Sequence, residues 1–273
     1  MAAAREPLLE ARGVVKQFGH VQALQGTDFT AYAGEVVALI GDNGAGKSTL
    51  VNVLSGVIPP DAGEVRLQGR PVRFTGPADA QRRGVETVYQ DLSMAPDLDA
   101  AANLYLGREI LRRGVLGRLG VLDRAAMRRE AVVAFAELGV TLKDVTAPVA
   151  TLSGGQRQSV AVARAVAFAD NVIFMDEPTA ALGVVQRARV LETVRRVADR
   201  GICVVLISHN MPEVLSVSDR IEVLRLGRRV ASFDAAHTTI EELVGAMTGS
   251  LDRDLETFAA TGTTGARHTE AAR

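Results

Sequence analysis

Along residues 61–74, DAGEVRLQGRPVRF, apolar and polar positions alternate, with Val65 and Leu67 before a turn near Gly69 and Val72 and Phe74 after it. A period of two puts alternate side chains on one face of a strand, so this stretch predicts a half-buried strand pair. Residues 8–37 mix short apolar stretches with turn residues in the same way, and the two segments together predict an antiparallel β lobe. Three other stretches do not alternate. EVVALI (35–40), NVIFMDEP (171–178) and GICVVLISHN (201–210) contain short continuous apolar runs, as expected of strands covered on both faces of a parallel sheet. Helical stretches separate them, which is the signature of an α/β fold. Residues 91–168 read as helical. In DRAAMRREAVVAFAELG, Asp123 is an N-cap candidate, Met127, Ala131, Phe135 and Leu138 recur along one face, and Gly139 is the terminator. Beyond residue 250 the periodicity disappears and the chain becomes small and polar, so 251–273 is expected to be a mobile tail.

Composition narrows the class without deciding it. The chain has 273 residues, 47% hydrophobic and 23% charged, enough to bury a sizeable core. Its 31 basic and 32 acidic side chains nearly cancel, which gives no electrostatic case for nucleic acid as a partner. The single cysteine, Cys203, lies in an apolar run and reads as a small buried hydrophobe, since one thiol builds neither a disulfide framework nor a metal cluster. No stretch approaches the roughly 18 apolar residues of a membrane helix, and the first residues lack the apolar core of a secretory signal. A soluble intracellular protein is expected, one that reaches a membrane only by docking onto another protein.

The densest chemistry lies in GDNGAGKST, residues 41–49, between the apolar run EVVALI and the helical pattern KSTLVNVLSG. Gly41, four residues, then Gly46-Lys47-Ser48 fits the phosphate-binding P-loop pattern in its required context, after a strand and before a helix. Glycines allow close approach of backbone N–H groups to oxygens, and the new helix adds free N–H groups and a positive dipole end. Lys47 then neutralises β- and γ-phosphate charge, the Ser48 hydroxyl ligates Mg²⁺ and Thr49 reaches the α-phosphate. The plainer alternative is a glycine turn beside an exposed lysine.

Two further stretches add to this. VIFMDEPT places Asp176 and Glu177 at the C-terminal tip of a buried strand, the edge where open α/β sheets bind ligands. Asp176 would hold Mg²⁺ through water and Glu177 would polarise an attacking water; alone, the pair would also suit an acidic turn opened by Pro178. In LSGGQRQ, residues 152–158, Ser153 and Gln156 form the pattern of a capping box. The box does not account for Gly154 and Gly155, which weaken a helix start unless something approaches the backbone closely, and a second phosphate contact supplies such a reason.

Together these stretches resemble the nucleotide-binding subunit of an ATP-binding cassette (ABC) transporter over residues 8 to about 249. GDNGAGKST looks like its Walker A motif, VIFMDE its Walker B and LSGGQ its signature. The smaller family marks follow in order: Phe18 where the adenine-stacking aromatic belongs, Gln90 in VYQD matching the Q-loop glutamine, and His209 in LISHN matching the switch histidine. The resemblance implies a P-loop NTPase (RecA-like) parallel-sheet core at 1–90 and 169–250 that carries the antiparallel lobe, with a helical subdomain inserted at 91–168.

It also implies a mechanism. Two copies face each other head to tail, with ATP between the P-loop of one and the signature of the other, so Ser153, Gly154, Gly155 and Gln156 act in trans on nucleotide held by Asp42, Asn43, Gly44, Ala45, Gly46 and Lys47 of the partner. Glu177 would hold the water, His209 the γ-phosphate, and Gln90, Ser48 and Asp176 the Mg²⁺. The helical lobe would receive transmembrane permease subunits at the cytoplasmic face of the inner membrane, with a periplasmic or extracellular sugar-binding protein as an indirect partner. VYQDLSMAPDLDAAANLYLGRE, EPTAALGV and SHNMPEV look like the branch that imports simple sugars of the fructose, ribose or xylose type, in single-cassette form. One departure is Gly183, where the family usually places an aspartate. The readings weighed against this are a soluble ABC ATPase acting on DNA or ribosomes, a transporter ATPase for another substrate, a P-loop kinase and a cassette that binds ATP without cleaving it.

Overall fold

A computed structural model describes residues 6–89, 94–138, 140, 142, 144–180 and 182–250. The alternating segments form a four-stranded antiparallel sheet of β1 (Leu9–Phe18), β2 (Val21–Ala31), β4 (Ala62–Leu67) and β5 (Arg70–Val72), in the order β2-β1-β4-β5. The expected turn is present, with Gly69 at φ 73 between β4 and β5. Val65 and Leu67 face the core, while Val72 and Phe74 pack partly buried against it.

The continuous apolar runs became β3 (Val36–Ile40), β7 (Val172–Asp176) and β8 (Cys203–Ile207), joined by β6 (Val85–Val88), β9 (Arg220–Arg225) and β10 (Arg228–Asp234) in the order β10-β9-β3-β8-β7-β6. All pairings are parallel except β9 with β10. The reason these strands do not alternate is visible in their packing. Ile173, Met175, Val204 and Leu206 point to one face, against α3 (Ala100–Leu104), α5 (Arg124–Glu137), α6 (Gly154–Phe168) and α7 (Val184–Asp199). Val172, Phe174, Cys203 and Val205 point to the other, against α1 (Lys47–Leu54), α2 (Pro77–Arg82) and the antiparallel lobe. Both faces are dry, so every position is apolar. Cys203 is buried, as its sequence context predicted. Towards β9, Ala38, Ile40, Ile221 and Val223 are covered by α8 (Met211–Val217) and α9 (Ile240–Thr248).

Residues 94–168 are less continuously helical than the sequence suggested. α3 has 5 residues and α4 (Val115–Arg118) has 4, with an isolated bridge between Leu111 and Leu122. Glycines 107, 114 and 120 take positive φ and interrupt the helical path. The one long amphipathic stretch behaved as read. Asp123 caps α5 by accepting from the Ala126 N–H, and Met127, Ala131, Phe135 and Leu138 are all buried. Gly139 and the tail 251–273 lie outside the described residues.

Two ties hold the lobe to the core, one of them beside the P-loop. Gly227, at the β9–β10 turn, accepts from Gln25 N (2.8 Å) and Thr27 Oγ1 (2.5 Å) and donates to Ala45 O (2.9 Å). At the other end of the strands Arg220 donates to Thr30 O (2.6 Å) and Glu35 Oε1 (2.8 Å) and pairs with the fully buried Glu222.

Candidate functional site

β3 delivers the chain to residue 41 and α1 takes it away at Lys47, so residues 41–46 form the loop between a buried strand and a helix N-terminus. Leu50, Val51, Val53 and Leu54 bury one side of α1 and fix its direction. Gly46, at φ 103, occupies the N-cap and no side chain caps the helix. A Cβ at residue 46 would lie 2.7 Å from Ala23 O, and one at Gly41 would collide with Leu224 O. Glycine is required at both positions by the protein itself. The loop thus presents uncapped helix N–H groups and no Cβ at its hinge points, which fits a phosphate cradle.

Lys47 folds back over this loop, donating to Gly41 O at 2.6 Å and Asp42 O at 3.0 Å. Burial pushes its ammonium below the ordinary lysine range, against the pull of Glu177, Asp42 and Asp176. Burial pushes Asp176 the opposite way, above the usual carboxylate range, with Glu177 adding to the shift and Lys47 resisting it. A cation and a carboxylate that both resist ionisation in their own surroundings are suited to a ligand that brings opposite charges of its own. Ser48, half a turn into α1, is exposed and free to meet such a ligand.

Glu177 follows β7 directly and sits at φ 48, a left-handed conformation unusual for a residue other than glycine. Its N–H donates to Ile207 O of β8 at 2.9 Å, and its carboxylate is 2.7 Å from His209 Nδ1. The two residues singled out as base and switch histidine are therefore in contact, although 32 positions apart. The His209 side chain is 80% exposed and that of Glu177 16%, so the pair has one dry member and one facing solvent.

Phe18 ends β1 with half its surface exposed, and Lys16 Nζ lies 5.7 Å from its ring centroid. The signature stretch forms the start of α6. Ser153 Oγ accepts from Gln156 N at 3.3 Å and Gln156 Oε1 accepts from Ser153 N at 2.9 Å, so the capping box is real. At Gly155 the chain itself approaches the backbone. A Cβ on Gly155 would lie 2.9 Å from Gln186 Cγ of α7, so close packing within the chain already calls for that glycine, whereas nothing stands within 4 Å of the same point on Gly154. Among the described residues no hydrogen bond or ion pair joins 41–49 to 153–156. α1 and α6 pack on opposite faces of the sheet, so one chain does not unite the two motifs. Gln90 lies outside the described residues.

A polar cluster behind Glu177 and His209 was not singled out from the sequence. Thr179, Asn210 and Glu213 are linked there by hydrogen bonds. Its sequence signal is N-x-x-E at residues 210–213, a helix-start pattern that is ordinarily solvent-facing.

Residues 24–180 match the family model described as ABC transporter. The chain is 51% identical over 259 residues to the fructose import ATP-binding protein FrcA of Rhizobium meliloti, covering 94% of this chain and 100% of that protein. It is 44% identical to the xylose/arabinose import ATP-binding protein XylG of Sulfolobus acidocaldarius, covering 88% and 94%. A solved nucleotide-free ATP-binding cassette from an ABC transporter superposes with a TM-score of 0.76 at 26% identity, covering 89% of this chain and 96% of that one. With the motif-bearing loops held at the edge of a parallel sheet, this chain belongs to the ABC transporter family and is one of its ATP-hydrolysing cassettes.

Proposed function

We propose that the chain is the ATP-hydrolysing subunit of an importer for a monosaccharide, working as a head-to-tail pair beneath separate permease subunits on the cytoplasmic face of the membrane. The sugar assignment is supported by the full-length similarity to fructose and xylose/arabinose import proteins. The chemistry is carried by one observation, the 2.7 Å contact between Glu177 and His209 at the strand tip beside the P-loop. No helix among the described residues is long and apolar enough to cross a membrane, so the sugar's path is assigned to other subunits.

In this reading the adenine stacks on Phe18. The backbone from Asp42 to Gly46 and the first N–H groups of α1 hold the phosphates. Lys47 gives up its carbonyl contacts for the β- and γ-oxygens, and Thr49 meets the α-phosphate. Mg²⁺, when bound, offsets phosphate charge, and Ser48, Gln90 and Asp176 would hold it. Glu177 accepts the proton of the attacking water while His209 holds the γ-phosphate. Ser153 of a second copy completes the site. Its oxygen accepts from Gln156 N, which leaves the hydroxyl hydrogen available to a phosphate oxygen. Gly154, Gly155 and Gln156 line the same approach. Residues 91–168 form the lobe that meets the permease, and 1–90 with 169–250 form the core that holds nucleotide.

Glu177→Gln is expected to lower phosphate release about 10³-fold while ATP still binds. Retained turnover in this variant would identify another base. For the cargo, uptake of radiolabelled fructose, ribose and xylose is measured in cells with the chain deleted and then restored. Unchanged uptake of all three would reject the sugar assignment.

A further inference from the structure

Glu213, in the first turn of α8, is buried, yet hydrogen-bonding groups from three segments converge on it. Thr179 Oγ1 donates to Oε2 at 2.5 Å, Asn210 Nδ2 donates to Oε1 at 3.0 Å, and Arg187 Nη1 lies 3.5 Å from Oε1. The Glu213 N–H donates back to Asn210 Oδ1 at 3.3 Å. Arg187 continues the chain of contacts, its Nε donating to Leu182 O at 2.7 Å. One carboxylate therefore joins the turn after β7, the first turn of α7 and the loop after β8.

Two of those segments carry a residue of the proposed chemistry, and the third adjoins the position where the chain departs from the family pattern. Thr179 is two positions beyond Glu177, Asn210 directly follows His209, and Leu182 precedes the unusual Gly183. A carboxylate held out of water is costly unless its lone pairs are filled, and here two of the groups that fill them, Thr179 and Asn210, stand beside the candidate catalytic residues. The two candidate catalytic groups need such support. Glu177 holds a left-handed backbone, which persists only where its surroundings over-determine it. His209 is largely exposed, and Glu177 is the partner its ring meets. The Glu177 N–H bond to Ile207 O anchors one side of that turn. Thr179, itself buried, anchors the other through Glu213.

We infer that Glu213 is a positioning residue for ATP hydrolysis: through Thr179 and Asn210 it sets the turn bearing Glu177 against the loop bearing His209, and through Arg187 it links both to Leu182 and Gly183. The inference rests on the roles proposed above for Glu177 and His209. Glu213 touches no reacting atom, so its removal displaces the pair rather than deleting a reacting group, and its effect falls on kcat and spares the KM for ATP.

The experiment measures kcat and KM by phosphate release for the full chain and for Glu213→Ala, Glu213→Gln, Thr179→Val and Glu177→Gln, with melting temperatures recorded. Misplacement of catalytic groups by about 1 Å costs up to roughly 10²-fold. Glu213→Ala is accordingly expected to lower kcat about tenfold or more with KM within about twofold. Glu213→Gln keeps an acceptor for Thr179 and is expected to recover part of that loss. Thr179→Val leaves the carboxylate in place and lowers kcat about fivefold. A Glu213→Ala enzyme with kcat within twofold of the parent, or with only KM changed, overturns the inference. Should Glu213→Ala fail to fold, Thr179→Val decides by the same criterion. Loss of turnover in Glu177→Gln together with a normal Glu213→Ala sinks this inference alone, whereas an active Glu177→Gln sinks the catalytic assignment on which it rests.

Discussion

Helix α1 begins behind Gly46, with no side chain capping its first turn, whereas α6 begins behind Ser153 and closes a capping box with Gln156. Both helix starts bear glycines, and both are assigned to the same triphosphate from opposite sides. At α1 the uncapped N–H groups face a loop over which Lys47 leans, donating to Gly41 O and Asp42 O, which suits a phosphate cradle. At α6 one orphan N–H, that of Gln156, is satisfied by the chain's own Ser153 hydroxyl, so this end presents one free N–H fewer than α1 does. In the proposed function this difference would divide the labour, with α1 capturing nucleotide within one chain and α6 acting when a second chain brings it close.

The largest effect should come from the open helix. Lys47→Ala is expected to weaken ATP binding by about 10²-fold, since a charge-assisted contact is lost from a partly desolvated site; titration with a fluorescent nucleotide measures it. Ser153→Ala is the sharpest contrast. It should leave the ATP affinity of the isolated chain unchanged, lower turnover about tenfold, and cost about 1 kcal/mol of stability through the lost cap, read from thermal denaturation. If Ser153→Ala weakened nucleotide binding as much as Lys47→Ala does, the division between the two helix starts would collapse.

A third prediction concerns the strand tip between them. Folding raises the Asp176 value above the ordinary carboxylate range through burial and the nearby Glu177. Its protonated form is therefore favoured on folding. That contribution is fully present below the unfolded carboxylate value and is lost as pH rises through the raised folded value. Asp176→Asn imitates the protonated form, so without nucleotide it should melt above the parent near neutral pH. The gap should close as the solution becomes acidic, and Mg²⁺-dependent turnover should be lost. A pH series of melting curves tests the sign, and an unchanged melting temperature throughout would refute it.

The smallest effect tests the third helix start in the region. α7 begins at Gly183, at φ −71 and ψ 165 with no side-chain cap, a backbone that aspartate adopts readily. An added Cβ would meet Gln186 Oε1 at 2.9 Å, the movable end of a long side chain. Gly183→Asp should therefore fold normally and gain about 0.3 kcal/mol from capping. A loss of stability in chemical denaturation would mean that glycine is required there for packing.

Local pattern was sufficient for the elements whose environment is uniform along their length. Strands dry on both faces had to be apolar at every position, as in VVALI and CVVLI, and α5 had to repeat its buried side chains each turn. The P-loop was legible through the fixed spacing of Gly41, Gly46, Lys47 and Ser48 between a strand and a helix, although the backbone that excludes a Cβ at the two glycines, Leu224 O and Ala23 O, belongs to β9 and β2 far along the chain. The short α3 and α4 were less legible, because a run of helix-compatible residues does not show where glycines will turn the chain.

What the sequence determined by itself was the inventory: strand, cradle and helix in order, two carboxylates at a strand tip, and a self-capped helix start. Only the tertiary structure decided which of these meet. Glu177 reaches His209 because β7 and β8 are neighbours in the parallel sheet, and Gly155 is claimed by Gln186 because α7 crosses α6. Glu213 becomes a buried anchor because three turns close over it, although its pattern alone reads as an ordinary cap. Hydrophobic periodicity records which side of an element is dry, a local property. Strand order and helix crossing are global, and they are what place the polar groups within reach of one another.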